Sequence, residues 1–226
     1  QMSLSGGDTV LFPNSETGLD PEKDICLPVI LKEQGYSSAC IGKWHCGHLP
    51  QFLPTKHGFD YYYGIPYPND HGPERNGGTH NRGFPPIPLL INDRVVKRLT
   101  NQDLAELPLD FIQEAENFIS DKTKEKKPFY MQLSNIETHT PWFIPDQFKG
   151  KSSAGAYGDA VVCLDYLVGR IMDHVKKLKI ENNTLIVYQA DNGPLVWEYP
   201  ELRNCYGEYS NVDQERGQNR YLRDGK

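Results

Sequence analysis

The chain has 226 residues, enough for one domain that buries most of its apolar surface. Charged residues make up 24% and hydrophobic residues 38%, as in globular proteins, and no apolar run approaches the ~20 residues that span a bilayer. A formal net charge of -6 excludes a nucleic-acid or polyanion binder held by overall charge, although a local positive cluster can still hold a small anion.

Residues 1–20 mix Gly, Ser, Asn and Pro with little periodicity and read as an irregular surface segment. Pro21 ahead of Ile25, Leu27, Val29, Ile30 and Leu31 predicts a capped helix closing at Gly35. Pro28 confines its regular part to the C-terminal half. Tyr36 to Ile41 is an apolar run bounded by glycine and predicts the first strand. It leads straight into Gly42-Lys43-Trp44-His45-Cys46-Gly47-His48. A strand ending in Lys-x-His aims two cationic or proton-carrying groups out of the carboxyl edge of a sheet, where open α/β sheets bind ligands. Read alone, the heptapeptide is equally a basic turn with a packed Trp.

From Gly42 to about Pro108 the chain is rich in Gly, Pro, Asn and aromatics, and so long a stretch with little regular structure is usually functional. Within it, Pro85 to Leu90 reads as extended and Ile91 to Leu99 as a short hairpin. Phe111, Ala115, Phe118 and Ile119 stand at helical spacing and predict a helix over Leu107–Ser120, followed by a solvated turn over Lys122–Lys127. Phe129 to Leu133 is the second strand. Ala160, Leu164, Leu167, Ile171, Val175 and Leu178 repeat at three and four residues, which makes Tyr157–Lys179 the clearest helix. Thr184 to Ala190 reads as the third strand. Strand alternating with helix predicts an α/β fold, a mostly parallel sheet flanked by helices, with no repeat and no linker.

Polar clusters follow all three predicted strands: Lys43 and His45 after the first, Glu137-Thr138-His139-Thr140-Pro141 after the second, Asp191-Asn192-Gly193 after the third. In a parallel sheet these fall at one edge, where they can converge. Asp191 and Asn192 offer hard oxygen donors of the kind Ca²⁺ or Mg²⁺ takes, although two donors do not make a site and Asp-Asn-Gly is also a good turn. Lys43, His45 and His139 can hold a tetrahedral anion and move protons near neutral pH. His45-Cys46-x-His48 raises zinc, but ligands so close together do not easily face one tetrahedral ion. His57, His71, His80 and His174 default to surface or packing roles, and Asn69-Asp70 reads as a turn beside the pocket. The cysteines Cys26, Cys40, Cys46, Cys163 and Cys205 are odd in number and irregularly spaced, which is not a disulfide framework. Asn182-Asn183-Thr184 is a glycosylation sequon at Asn182.

Taken together these segments resemble the sulfatase family, the formylglycine-dependent sulfate-ester hydrolases, in the branch of arylsulfatase A and N-acetylgalactosamine-6-sulfatase. Gly42-Lys43-Trp44-His45-x-Gly47-His48 is similar to the family's Gly-Lys-Trp-His signature. Pro50-Gln51-Phe52, Lys56-His57-Gly58-Phe59-Asp60, Gly64-Ile65-Pro66-Tyr67, Thr138-His139-x-Pro141, Tyr157-Gly158-Asp159-Ala160, Asp191-Asn192-Gly193 and Leu222-Arg223-Asp224-Gly225-Lys226 follow in the family's order.

The resemblance implies an alkaline-phosphatase-like sheet and cleavage of sulfate esters on a sulfated small molecule or glycan. It implies Lys43 bridging nucleophile and sulfate, His45 as base on the nucleophile's hydroxyl, and His139 with Lys226 on the sulfate oxygens. Asp191 and Asn192 would be two of the Ca²⁺ ligands, Mg²⁺ being the other ion to consider, and the compartment would be lysosomal or secreted. The family's Cys/Ser-x-Pro-x-Arg nucleophile motif does not occur in the 226 residues, nor does its N-terminal aspartate pair. The expectation is therefore a partial catalytic domain over 1–226, incomplete at both ends and without turnover by itself. Cys46 stands where an aliphatic residue is usual, and Pro68 where the arylsulfatase A pattern has a polar pocket residue. A non-catalytic anion-binding module and a phosphate-ester hydrolase of the same superfamily are the alternatives.

Overall fold

Ser37–Lys43 (β1) lies one strand in from the edge of a five-stranded sheet in the computed structural model, which describes residues 10–72 and 84–192. Tyr61–Ile65 (β2) and Phe129–Ser134 (β5) flank it, both parallel to it. Pro88–Ile91 (β3) runs antiparallel to β2, and Arg94–Arg98 (β4) antiparallel to β3, giving the order β4-β3-β2-β1-β5. The sheet is thus mixed, with the parallel trio at the end that carries the polar clusters and a hairpin closing the other end. Tyr61-Tyr62-Tyr63 gives no clear apolar alternation, and β2 is a strand the sequence reading left inside its irregular stretch.

Side-chain alternation along β1 divides the core. Ala39 and Ile41 join Ile65, Leu107, Phe111 and Leu167 under the two long helices, Asn101–Glu125 (α2) and Gly155–Lys177 (α3). Cys40, between them, joins Trp44, Leu53, Phe59 and Tyr62 on the other face. The short helix Leu27–Lys32 (α1) begins with Pro28 in its first turn, so the residues from Pro21 onward stay outside it.

α2 starts six residues earlier than its apolar spacing predicts, because Thr100 caps it. Thr100 Oγ1 accepts from the Asp103 amide at 3.2 Å and Asp103 Oδ2 accepts from the Thr100 amide at 3.0 Å, a reciprocal capping box. α2 runs through Pro108 and on to Glu125, into the predicted lysine turn. Tyr61 Oη donates to Glu114 at 2.6 Å, tying β2 to α2. Arg170 pairs with Glu116 through Nε at 2.9 Å, tying α3 to α2. Ahead of α3, the Asp159 carboxylate accepts from the Gly150 and Ser152 amides at 2.6 and 2.7 Å and closes the preceding loop.

The segment Thr184–Ala190 runs without pairing to any described strand. Leu185, Val187 and Tyr188 are 89%, 71% and 69% exposed. A run this apolar suits a covered strand, and the described residues supply neither a ladder partner nor a covering layer for it.

Candidate active site

The parallel strands end together. The register sets Gly42 beside Gly64 of β2 and Ser134 of β5, so the chain leaves β1 at Lys43, β2 at Ile65 and β5 at Ser134 on one edge. Glycine is required where they meet. Gly42 has φ 109°, and a Cβ there would lie 2.0 Å from the Ser134 carbonyl oxygen. A Cβ on Gly64 would lie 1.9 Å from the Gly42 carbonyl oxygen.

Beyond β1, the Trp44 and His45 amides go on bonding to the carbonyls of Ile65 and Pro66, at 3.0 and 3.1 Å. The Trp44 indole donates to the Phe52 carbonyl at 2.8 Å and packs on His57 and Phe59. This anchoring holds the two functional side chains between it. Lys43 keeps only 15% of its side chain exposed, with Nζ 3.9 Å from Asp191 Oδ2. The Asp191 side chain is 76% exposed, so the contact adds little stability, but it brings the first and third predicted clusters to one place.

His45 takes φ 55°, a left-handed backbone that non-glycine residues adopt mostly at constrained or functional positions. Its Nε2 lies 3.2 Å from the Leu11 carbonyl. Burial, and then the charge on Lys43, push its pKa down to about 4. The ring is therefore neutral near pH 7. With Nε2–H given to a carbonyl, the lone pair sits on Nδ1, ready to accept a proton.

Beyond β2 the chain makes a single 3-10 turn, Asn69–His71. The His71 ring stands edge-on to His45 at a centroid distance of 5.8 Å. Asn69, 3% exposed, sends its amide the other way, donating to the Pro141 carbonyl at 2.7 Å and to the His139 carbonyl at 3.4 Å. One turn thus joins the surroundings of His45 to the loop of His139.

That loop carries a cis Glu137–Thr138 peptide and a cis Thr140–Pro141 peptide. His139 Nδ1 lies 2.6 Å from the Thr140 carbonyl, which fixes Nδ1 as the protonated nitrogen and leaves Nε2 to act outward. The Trp142 indole donates to the Thr138 carbonyl at 3.0 Å. Asn69, Glu137, His139, Trp142 and Phe143 line a cleft of ≈ 10 Å³, about the room of one water. Glu137 Oε2 is sealed from solvent and has no hydrogen-bond partner among the described residues, and burial pushes this carboxyl up to about 7.

Of the sequence-predicted site residues, Lys43 and Asp191 meet directly, and His45 and His139 are linked through the Asn69–His71 turn. Asn192 is exposed beside Asp191. Lys226, with Gly193 and Leu222 to Gly225, lies outside the described residues. Asp191 and Asn192 match the hard-oxygen donors that Ca²⁺ takes, but Ca²⁺ requires six to eight oxygens. Among the described residues no group of three His, Cys, Asp or Glu could hold a metal ion, so these two supply only part of a shell. By the same observation His45, Cys46 and His48 do not come together as a metal-holding group. The sequence places Glu137 in the polar cluster after β5 and Asn69 in a turn that can line the pocket, and gives His71 a surface or packing role; the burial and contacts of all three come from the structure.

The sulfatase family model matches residues 2–226. N-acetylgalactosamine-6-sulfatase of Canis lupus familiaris is 35% identical over 204 residues, covering 87% of this chain and 38% of that protein. Arylsulfatase A of Bos taurus is 36% identical over 197 residues, covering 82% of this chain and 38% of its own length. Among solved structures, the PsFucS1 sulfatase from Pseudoalteromonas sp. superposes with a TM-score of 0.71 at 26% identity, over 86% of this chain and 42% of that one. The chain therefore spans less than half the length of the relatives it matches, and across that span it belongs to the sulfatase family.

Proposed function

We propose that the protein containing this chain hydrolyses sulfate esters, with Lys43, His45 and His139 acting on the sulfate group and Lys226 completing the anion site. The observation that carries the reading is the gathering of Lys43, His45, Asp191 and the His139 loop at the carboxyl edge of β1, β2 and β5, in a chain of this family. Sulfuryl transfer is an in-line displacement at a centre whose charge is spread over its oxygens. Positioning and electrostatic stabilisation therefore supply most of the rate, as in phosphoryl transfer.

The largely buried Lys43 ammonium holds one sulfate oxygen. Neutral His45 takes the proton of the attacking hydroxyl at Nδ1. His139, its Nδ1–H committed to Thr140, holds a sulfate oxygen through protonated Nε2 and passes that proton to the leaving alcohol. Asp191 and Asn192 would hold part of a Ca²⁺ shell, and the ion's chemistry would be charge neutralisation on the sulfate oxygens. A formylglycine nucleophile belongs to the reaction, but no Cys/Ser-x-Pro-x-Arg motif is present, so the 226-residue polypeptide by itself should not turn over. The substrate class is a sulfated small molecule or glycan, and the compartment lysosomal or secreted.

The test compares a chromogenic aryl sulfate with the matching aryl phosphate. In the longer protein carrying these residues, Lys43→Met and His139→Ala should each lower kcat/KM for the sulfate about 100-fold or more. Hydrolysis of the phosphate in preference to the sulfate would replace this reading with a phosphate-ester hydrolase. Sulfate binding without turnover would make the protein a non-catalytic anion-binding module. Sulfate turnover by the 226-residue polypeptide above its His139→Ala control would overturn the nucleophile argument.

A further inference from the structure

Asn69 stands at the exit of β2, yet its side chain is committed to the exit of β5. Its Nδ2 donates to the Pro141 carbonyl at 2.7 Å and reaches the His139 carbonyl at 3.4 Å. The segment receiving these bonds, residues 135–145, has no helix or strand to hold its shape. Its form comes from the packing of Ile136 and Ile144 in the core and from individual ties, among them the His139 amide on the Ile136 carbonyl at 2.9 Å and the Trp142 indole on the Thr138 carbonyl at 3.0 Å. Asn69 adds one from a different strand's exit, grasping the carbonyls on either side of Thr140, whose own carbonyl fixes the His139 ring.

A buried amide is costly unless its bonds are made; the two that Asn69 makes both go to one loop, and its Oδ1 meets no partner among the described residues. Only a side chain with two N–H groups on one nitrogen and little bulk can serve both carbonyls. Aspartate would set an oxygen against two carbonyl oxygens, and leucine would fill the space with no donor.

We propose that Asn69 is a positioning residue of the anion site: its amide clamps the His139 loop so that the ring keeps Nδ1–H on the Thr140 carbonyl and turns Nε2 toward the bound oxyanion. This rests on the reading of His139 as a sulfate ligand. Without the clamp the loop relaxes, the Nδ1–H bond to Thr140 is lost, and the neutral ring reverts to the Nε2–H form that free imidazole side chains favour. That change moves the ring off the oxyanion and removes the acceptor that holds the Nδ1 proton while Nε2 carries a second one, the doubly protonated ring being the form that donates to sulfate.

The experiment uses the 226-residue protein labelled with ¹⁵N-histidine, the His139 ring assigned by its loss in His139→Gln. Ring nitrogen shifts are read at pH 8.5, and inorganic sulfate is titrated at low ionic strength. Wild type should show the Nδ1–H pattern without sulfate and a saturable sulfate response in which Nε2 takes up a proton. In Asn69→Leu the ring pattern should move to Nε2–H and sulfate affinity should fall at least tenfold. Asn69→Asp keeps the shape of the amide but has no donor at pH 8.5, and should behave like Asn69→Leu in both readouts. A loss with the shape conserved would not follow from lost packing. The proposal is overturned if either variant, folded by its amide dispersion, keeps the wild-type ring pattern and affinity at pH 8.5. A wild-type protein with the Nδ1–H pattern but no sulfate response overturns the sulfate reading of His139 instead, and Asn69→Leu still reports whether the clamp sets the ring.

Discussion

Replacing Glu137 with glutamine should stabilise the protein, and by an amount that depends on pH. The Glu137 carboxyl is raised from 4.5 to about 7 because its end is buried, with Oε2 unpartnered among the described residues. The sign follows from linkage. Below pH 4.5 the group is protonated in both states and costs nothing. As pH rises to about 7 the unfolded chain releases the proton while the folded chain keeps it, so stability falls, and above that the loss is complete. At about 1.4 kcal/mol per pH unit the full loss is roughly 3 kcal/mol.

Glutamine is neutral throughout and removes the effect. Urea unfolding of wild type and Glu137→Gln at pH 5 and pH 8.5 should therefore show the variant's advantage widening by about 2–3 kcal/mol, or about 5–10 °C in Tm. The Cys163 thiol does not imitate this: it is raised to about 12, outside the window. An advantage that stays constant within about 0.5 kcal/mol between the two pH values would refute the argument that this carboxyl is held neutral by burial.

His45 works in the opposite direction. Its folded pKa of about 4 lies below the ordinary 6.5, so stability present above pH 6.5 should be lost as pH falls toward 4, by up to about 3 kcal/mol. Unfolding of His45→Gln across that range should give a flatter slope. Gly42→Ala puts a Cβ 2.0 Å from the Ser134 carbonyl oxygen at a backbone angle of 109°, and should cost about 4 kcal/mol or more, seen as loss of cooperative unfolding or of soluble protein. Asp159→Ala leaves the Gly150 and Ser152 amides without their acceptor and should cost about 2–4 kcal/mol in chemical denaturation, with Asp159→Asn losing less.

The parts of the fold that were legible are those in which side-chain period and burial agree. α3 repeats its apolar residues every three to four positions and packs them on the sheet, and β1 and β5 stand where apolar runs meet glycine or proline. α2 was foreshortened because Pro108 masked its first turns, although Thr100 and Asp103 spelled out the capping box at its true start. β2 was missed because three consecutive tyrosines face two different layers, so no apolar/polar alternation survives to be read. Thr184–Ala190 has the composition of a strand, but pairing depends on a neighbouring strand, which composition does not reveal.

At the site the same division holds. Lys43, His45, His139 and Asp191 were visible as chemistry following strands. Asn69 and Glu137 lie in the same segments, but their burial is not legible, since an amide in a turn and a carboxylate in a loop look alike whether solvated or buried. Only the register of β1, β2 and β5 brings Asn69 to Pro141 and closes Glu137 from water.

The bare ribbon from Leu185 to Tyr188 also governs how this polypeptide behaves among copies of itself. It is apolar, β-branched in part, uncharged and free of proline, and it pairs with no strand among the described residues. Two such ribbons can zip together without any help from the anion pocket. Produced in isolation, the 226-residue polypeptide should therefore self-associate as its concentration rises, and a lysine introduced at Val187 should act as a gatekeeper that keeps it dispersed without touching the pocket.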